Sequence, residues 1–193
     1  MITTRRNLWL AIAAVAVGQA VVLGWMIWDR TSLLANGREV VLEVIPVDPR
    51  SLFRGDYVIL GYDISRFVLP PGTTPPKKNA AFYITLQKSQ GDNWQVVSGA
   101  TEPPAEVKPD EVVVKGRVEY VSRPSTEQTQ ESVIVGLHYG IESFFVPEGT
   151  GRELEKMVGE KKISALIAVD DSGNAAIKGL MSEGKRIYEE PLL

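Results

Sequence analysis

Tyr57-Val58-Ile59-Leu60-Gly61-Tyr62-Asp63-Ile64 alternates in a way that decides the fold class. Successive side chains on a strand point to opposite faces, so Val58, Leu60, Tyr62 and Ile64 share one apolar face. Tyr57, Ile59 and Asp63 share the other. The same period of two recurs from end to end of the chain. Val40, Leu42 and Val44 form one face of residues 39–45, and Pro46 ends that run. Ala81 to Leu86, Trp94 to Val97, Val112 to Val121 and Ser132 to Phe145 follow the same pattern. So do Ile163, Ala165, Ile167 and Val169, and then Ala175 to Leu180. These segments predict a mainly β fold: a single β-rich domain, either a partly closed barrel or a sandwich, since closure removes exposed edges.

Turns and loops punctuate the strands. Gly91-Asp92-Asn93 reads as a hairpin turn. Asp170-Asp171-Ser172-Gly173-Asn174 reads as another, because it lacks the alternating acids and distal Glu of a calcium loop. The stretches from Pro70 to Pro76, Pro103 to Pro109 and Arg123 to Gln130 are too rich in proline and polar residues to continue a sheet. One short helix is expected near residue 154. Thr150 and Glu153 form a capping box, Leu154, Met157 and Val158 an apolar stripe, and Gly159 the stop.

The N-terminus is of a different kind. Leu8 to Trp28 holds no charge, with Gln19 its one strongly polar side chain. As a helix it reaches about 30 Å, the thickness of the hydrocarbon core. Trp9 stands at one end and Trp25 and Trp28 at the other, where amphipathic rings favour the interface. A signal peptide cut near Gly18 or Ala20 is the alternative. The apolar run continues past those residues through Val21, Val22, Leu23, Met26 and Ile27, which favours an uncleaved anchor. Arg5 and Arg6 precede it without an offsetting acid and favour a cytoplasmic N-terminus, although Arg30 and Arg38 nearly balance the local count. The expected order is then a cytoplasmic tail (1–7), a transmembrane signal-anchor (8–28), a juxtamembrane linker (29–38) and an extracytoplasmic, periplasmic domain (39–193).

Composition narrows the function classes. With 193 residues, one domain has room for a sizeable core. There are no cysteines, so thiol chemistry, thiolate metal sites and disulfides are excluded. The net charge of −3 and the lack of a dense basic stripe argue against nucleic acid. His138 is the single histidine, so a multi-histidine metal site is ruled out, and no cofactor is expected.

Gly55-Asp56-Tyr57-x-x-Leu60-x-Tyr62 resembles the signature of the GDYXXLXY protein family. Pro46-Val47-Asp48-Pro49-Arg50-Ser51-Leu52-Phe53-Arg54, just upstream, and Leu137 to Gly149 also look like that family's pattern. The resemblance implies no particular reaction; it implies a membrane-anchored protein found alongside polytopic membrane proteins. Within the signature, Leu60 and Tyr62 belong to the core face, with the Tyr62 hydroxyl reaching a polar partner. Gly55 suits a positive-φ entry to the strand, and Asp56 can cap that turn. Arg54, Asp56 and Tyr57 are the part freest to meet a ligand or partner. Arg50 and Arg54 can hold a carboxylate or phosphate, or else pair with Asp48, Asp56 or Asp63 on the surface.

His138 and Glu142 complete the set of candidate binding residues. On an unbroken strand four residues separate them by about 13 Å, so a direct pair needs a bend at Gly140. Ser51, with Lys77 or Lys78 as base, resembles the Ser–Lys order of type I signal peptidases. It lacks their Met-x-Pro context, and the lysines sit in a proline-rich loop with nothing to lower their pKa. The leading expectation is therefore a binding module rather than an enzyme, an integral single-span protein whose exported domain engages a membrane or envelope protein. The alternative is a small-ligand binder or hydrolase with a site around Arg54, Asp56, Tyr57 and Glu142. Oligomeric state is not legible.

Overall fold

The computed structural model describes residues 2–45, 57–89, 94–123, 132–145, 154, 157, 158, 160 and 162–189. Helix α1 (Ile2–Asn36) leads directly into β1 (Arg38–Ile45). It is long and apolar enough to cross a membrane, as an anchor or a signal sequence, and its most apolar window has a mean hydropathy of 2.2 with no residue buried. The helix does not stop where the apolar stretch does. It runs on through Asp29 to Asn36, and Leu34 is buried where α1 meets β10 (Ile163–Val169) and β11 (Ala175–Ser182). Burying one leucine is worth about 1.5–3 kcal/mol. Gly37 then turns the chain, donating its N–H to the Leu33 carbonyl at 2.9 Å.

The domain is mainly β and forms a partly closed barrel from antiparallel sheets. The first sheet orders its strands β12 (Lys185–Glu189), β11, β10, β1 and β3 (Gly61–Tyr62). The second orders β4 (Arg66–Leu69), β8 (Val133–His138), β7 (Glu111–Ser122), β5 (Ala81–Lys88) and β6 (Trp94–Ala100). A two-stranded ribbon, β2 (Tyr57–Ile59) with β9 (Ser143–Phe145), joins them at one corner. Between the sheets lies one core, built from Val40, Leu42, Val44, Phe82, Ile84 and Leu86 among others. Leu154 and Val158 are helical and buried in it, with Met157 packed against it, as the apolar stripe predicts. Thr150, Glu153 and Gly159 lie outside the described residues, as does Gly91-Asp92-Asn93.

Two runs expected as single strands are broken. Residues 57–64 keep their buried face, with Val58, Leu60, Tyr62 and Ile64 all inside. Yet β2 pairs with β9 while β3 pairs with β1, and Asp63–Ser65 is a 3₁₀ turn. The break falls at Leu60, whose N–H goes to the Glu142 carbonyl at 2.9 Å. The run from Ser132 to Phe145 likewise splits into β8 and β9 around Gly140, whose φ of 83° no extended strand allows.

Polar contacts tie the sheets together. Arg38 donates from Nη1 to the Glu111 carbonyl at 2.7 Å and from Nη2 to that of Pro109, and its guanidinium stands 5.4 Å from the Trp94 ring centre. The Lys115 N–H reaches the Gly173 carbonyl at 2.8 Å, linking β7 to the β10–β11 turn. In that turn Asp170 Oδ1 accepts from the N–H groups of Ser172 and Asn174, as a turn-forming Asp does.

On the outer face of the first sheet, Glu39 lies 2.8 Å from Lys178 Nζ and 3.2 Å from Arg186 Nη2. The hydrogen bond from Lys178 is the main cause holding its carboxyl below the ordinary 4.5. A carboxyl whose folded pKa is depressed contributes stability above its unfolded value, and that contribution disappears as pH falls through the folded one. Glu39 is partly exposed, so solvent screening keeps the pair under about 1 kcal/mol. Lys178→Met is expected to lower stability by that amount near neutral pH. The gap from wild type closes as the medium is acidified below 4.5, which urea unfolding of the detergent-solubilised chain at several pH values checks. A gap that widens in acid contradicts the assignment.

Candidate functional site

The corner after β8 brings together residues that are distant on an extended strand. Gly140 turns the chain, and the Glu142 carboxylate folds back over the turn. Its Oε1 accepts the Tyr139 N–H at 2.6 Å and its Oε2 the Gly140 N–H at 2.9 Å. His138 Nε2 stands 3.4 Å from Oε2, and His138 Nδ1 accepts from the Gly140 N–H at 3.2 Å. The 13 Å separation of an unbroken strand is therefore replaced by direct contact, because the bend at Gly140 is present. With Nδ1 accepting, the neutral ring carries its proton on Nε2, toward the carboxylate. Both Glu142 oxygens are engaged by backbone donors, a small anion nest filled from within the chain.

This corner is clamped to the 57–64 segment by two tyrosines acting in opposite directions. Tyr62 donates its hydroxyl proton to the Ile141 carbonyl at 2.8 Å. Tyr139 donates to the Ile64 carbonyl at 2.6 Å. The polar partner expected for Tyr62 is thus a backbone oxygen 79 residues away in sequence. Burial pushes both phenols above the ordinary 10.0, and the nearby Glu142 charge adds to it. The tyrosines are neutral donors that satisfy buried carbonyls, not bases. Strand pairing of Val58 with Phe144 completes the junction.

The two stretches that meet at this junction are the signature and the 137–145 run, and a family model described as GDYXXLXY protein matches residues 19–180. The chain belongs to the GDYXXLXY family. The match begins inside α1 and ends in β11, so it takes in the second half of the helix and every strand except β12. No curated protein and no solved structure matches the chain.

In this GDYXXLXY domain the candidate residues divide unevenly. His138 and Glu142 come together. Tyr57 enters only through its backbone, paired with Phe145; its side chain lies outside the described residues, with Arg50, Arg54, Gly55 and Asp56. Leu60 and Tyr62 are core. Among the described residues no three His, Asp or Glu side chains gather where a metal ion could sit.

One feature was not anticipated. His138 borders an open cleft of about 660 Å³ that also receives Lys78, Lys115 and Arg117. The alternation of Lys115, Arg117 and Glu119 on one face of a strand is visible in the sequence. That Lys78 joins them is not, since it depends on how β5 pairs with β7.

Proposed function

We propose that the chain is a membrane-anchored binding module: α1 spans the bilayer with its N-terminus in the cytoplasm, and the β domain engages another membrane or envelope protein on the far side. The observation that carries this reading is the continuity of α1 into the domain. The helix is docked through Leu34 and Gly37 rather than followed by a loose linker. A domain held in one attitude above the bilayer presents a fixed surface to neighbours in the same membrane, and so loses less orientational freedom on binding. The engagement of Glu142 by its own loop supports the same reading, because a carboxylate already holding two backbone N–H groups is poorly placed as a general base.

Crosslinking in native membranes followed by affinity isolation of the full chain tests it. A stoichiometric membrane or envelope protein is the expected companion; recovery of the chain alone overturns the reading. Protease added outside intact spheroplasts is expected to remove the β domain, and full protection reverses the orientation.

A further inference from the structure

The cleft beside His138 has the chemistry of an anion site. β7 presents Lys115, Arg117 and Glu119 outward at alternate positions. Antiparallel register sets Arg117 opposite His138 on β8 and opposite Ala81 on β5. The Asn79 N–H bonds the Val118 carbonyl at 2.8 Å, which brings Lys78 to the same wall. Tyr139 forms part of the lining beneath, and Gly116 leaves it room: a Cβ there would stand 2.9 Å from the ring.

What distinguishes this cleft is that three cations converge on one lining. Lys108, Lys162, Lys178 and Arg186 each sit on a carboxylate, and Arg38 on two carbonyls. Among the described residues, the side chains of Lys78, Lys115 and Arg117 meet no acid. Glu119 is the one acid among the described lining residues and Glu142 stands directly behind His138 and Gly140, so Lys78, Lys115 and Arg117 still outnumber the acids on a chain of net charge −3. Cations in excess of the acids beside them repel one another, and a bound anion offsets that energy.

We propose that this cleft binds a phosphate-bearing ligand with more than one negative charge. Arg and Lys together supply the fork and point-charge donors that phosphate oxygens accept. The volume lies within the range of small-ligand clefts, roughly 300–1,000 Å³, and exceeds what a single phosphate needs. The group has two possible sources, a soluble phosphate compound or a phospholipid headgroup. Asn174 lines the cleft, and the turn it belongs to also borders the end of α1 near Asp29, so a headgroup source is tested beside a soluble one.

The inference does not rest on the partner-binding reading, and a failed affinity isolation leaves it standing. Its test is calorimetric titration of inorganic pyrophosphate into the full chain in phosphatidylcholine nanodiscs. The wild type is expected to bind, and Lys115→Gln/Arg117→Gln to bind at least tenfold more weakly. Lys115→Arg/Arg117→Lys keeps the charge and is expected to retain most of the affinity, as is Lys185→Gln outside the cleft. No binding by the wild type, or equal affinity in wild type and the double Gln variant, overturns the proposal. A photoactivatable phosphatidylglycerol in the discs separates the sources. Crosslinks to the 111–122 strand that vanish in the double Gln variant mark a headgroup; their absence, with pyrophosphate binding intact, marks a soluble ligand.

Discussion

Tyr62→Phe combined with Tyr139→Phe is expected to destabilise the β domain by about 2–6 kcal/mol, from about 1–3 kcal/mol for each buried carbonyl left without its donor. The two hydroxyls serve Ile141 and Ile64, buried at the same junction, where water is a poor substitute. Because both bonds clamp the 137–145 corner to the 57–64 segment, losing the first loosens the second, and the double variant should depart from the sum of the singles. Urea unfolding of wild type, both singles and the double measures this. A double variant as stable as wild type would show that the carbonyls find other partners.

The same pair predicts an alkaline signature. Both phenols are raised above their ordinary 10.0, first by burial and then by Glu142. An acid whose folded pKa is raised contributes fully below the unfolded value and loses that contribution as pH climbs past it, because the unfolded chain sheds protons that the fold retains. Stability should therefore fall above about pH 10, by as much as about 1.4 kcal/mol per pH unit for each tyrosine still protonated in the fold. The double Phe variant should lack that decline.

Gly37→Ala is expected to cost about 1–3 kcal/mol, in the manner of an overpacked site. A Cβ at Gly37 would stand 2.5 Å from the Leu33 carbonyl oxygen, 3.0 Å from the Ala168 Cβ and 3.1 Å from the Val169 nitrogen. Two of those three atoms are backbone, so the side chains cannot simply turn away. Either the end of α1 lifts from β10 or the Gly37–Leu33 hydrogen bond is lost. Gly18→Ala and Gly24→Ala are the controls, since a Cβ at either meets nothing within 4 Å. The measurement that speaks to function is limited proteolysis within residues 29–38 in nanodiscs. Faster cleavage in Gly37→Ala, together with loss of the crosslinked companion while the domain stays folded, ties partner binding to rigid docking. Unchanged cleavage would leave the continuity of helix and domain without a role.

Much of the core was legible because a pleated strand repeats every two residues whatever it pairs with. Val58, Leu60, Tyr62 and Ile64 are buried as their spacing says, and so are Val40, Leu42 and Val44. What spacing does not carry is the identity of the partner. Residues 57–62 serve two sheets, and no property of Leu60 itself announces that its N–H leaves the ladder for Glu142. β12 escaped notice for a different reason. Lys185, Arg186 and Glu189 put charge on both of its faces, which suits an edge but hides the period of two, and only the positive φ of Glu183 and Gly184 in the preceding turn returns it to β11.

The sequence alone thus determined the apolar helix, the β-rich class, the buried face of the signature and the family that signature marks, because each depends on local periodicity or on residue identity. Tertiary structure decided which groups meet. On an ideal strand the backbones of His138 and Glu142 would lie about 13 Å apart; the turn at Gly140 instead lets His138 Nε2 stand 3.4 Å from Glu142 Oε2. The β5–β7 register gathers Lys78, Lys115 and Arg117, and Tyr62 finds an acceptor 79 residues away. Those meetings are set by strand pairing between distant segments, where a shift of one residue would send every side chain to the opposite face.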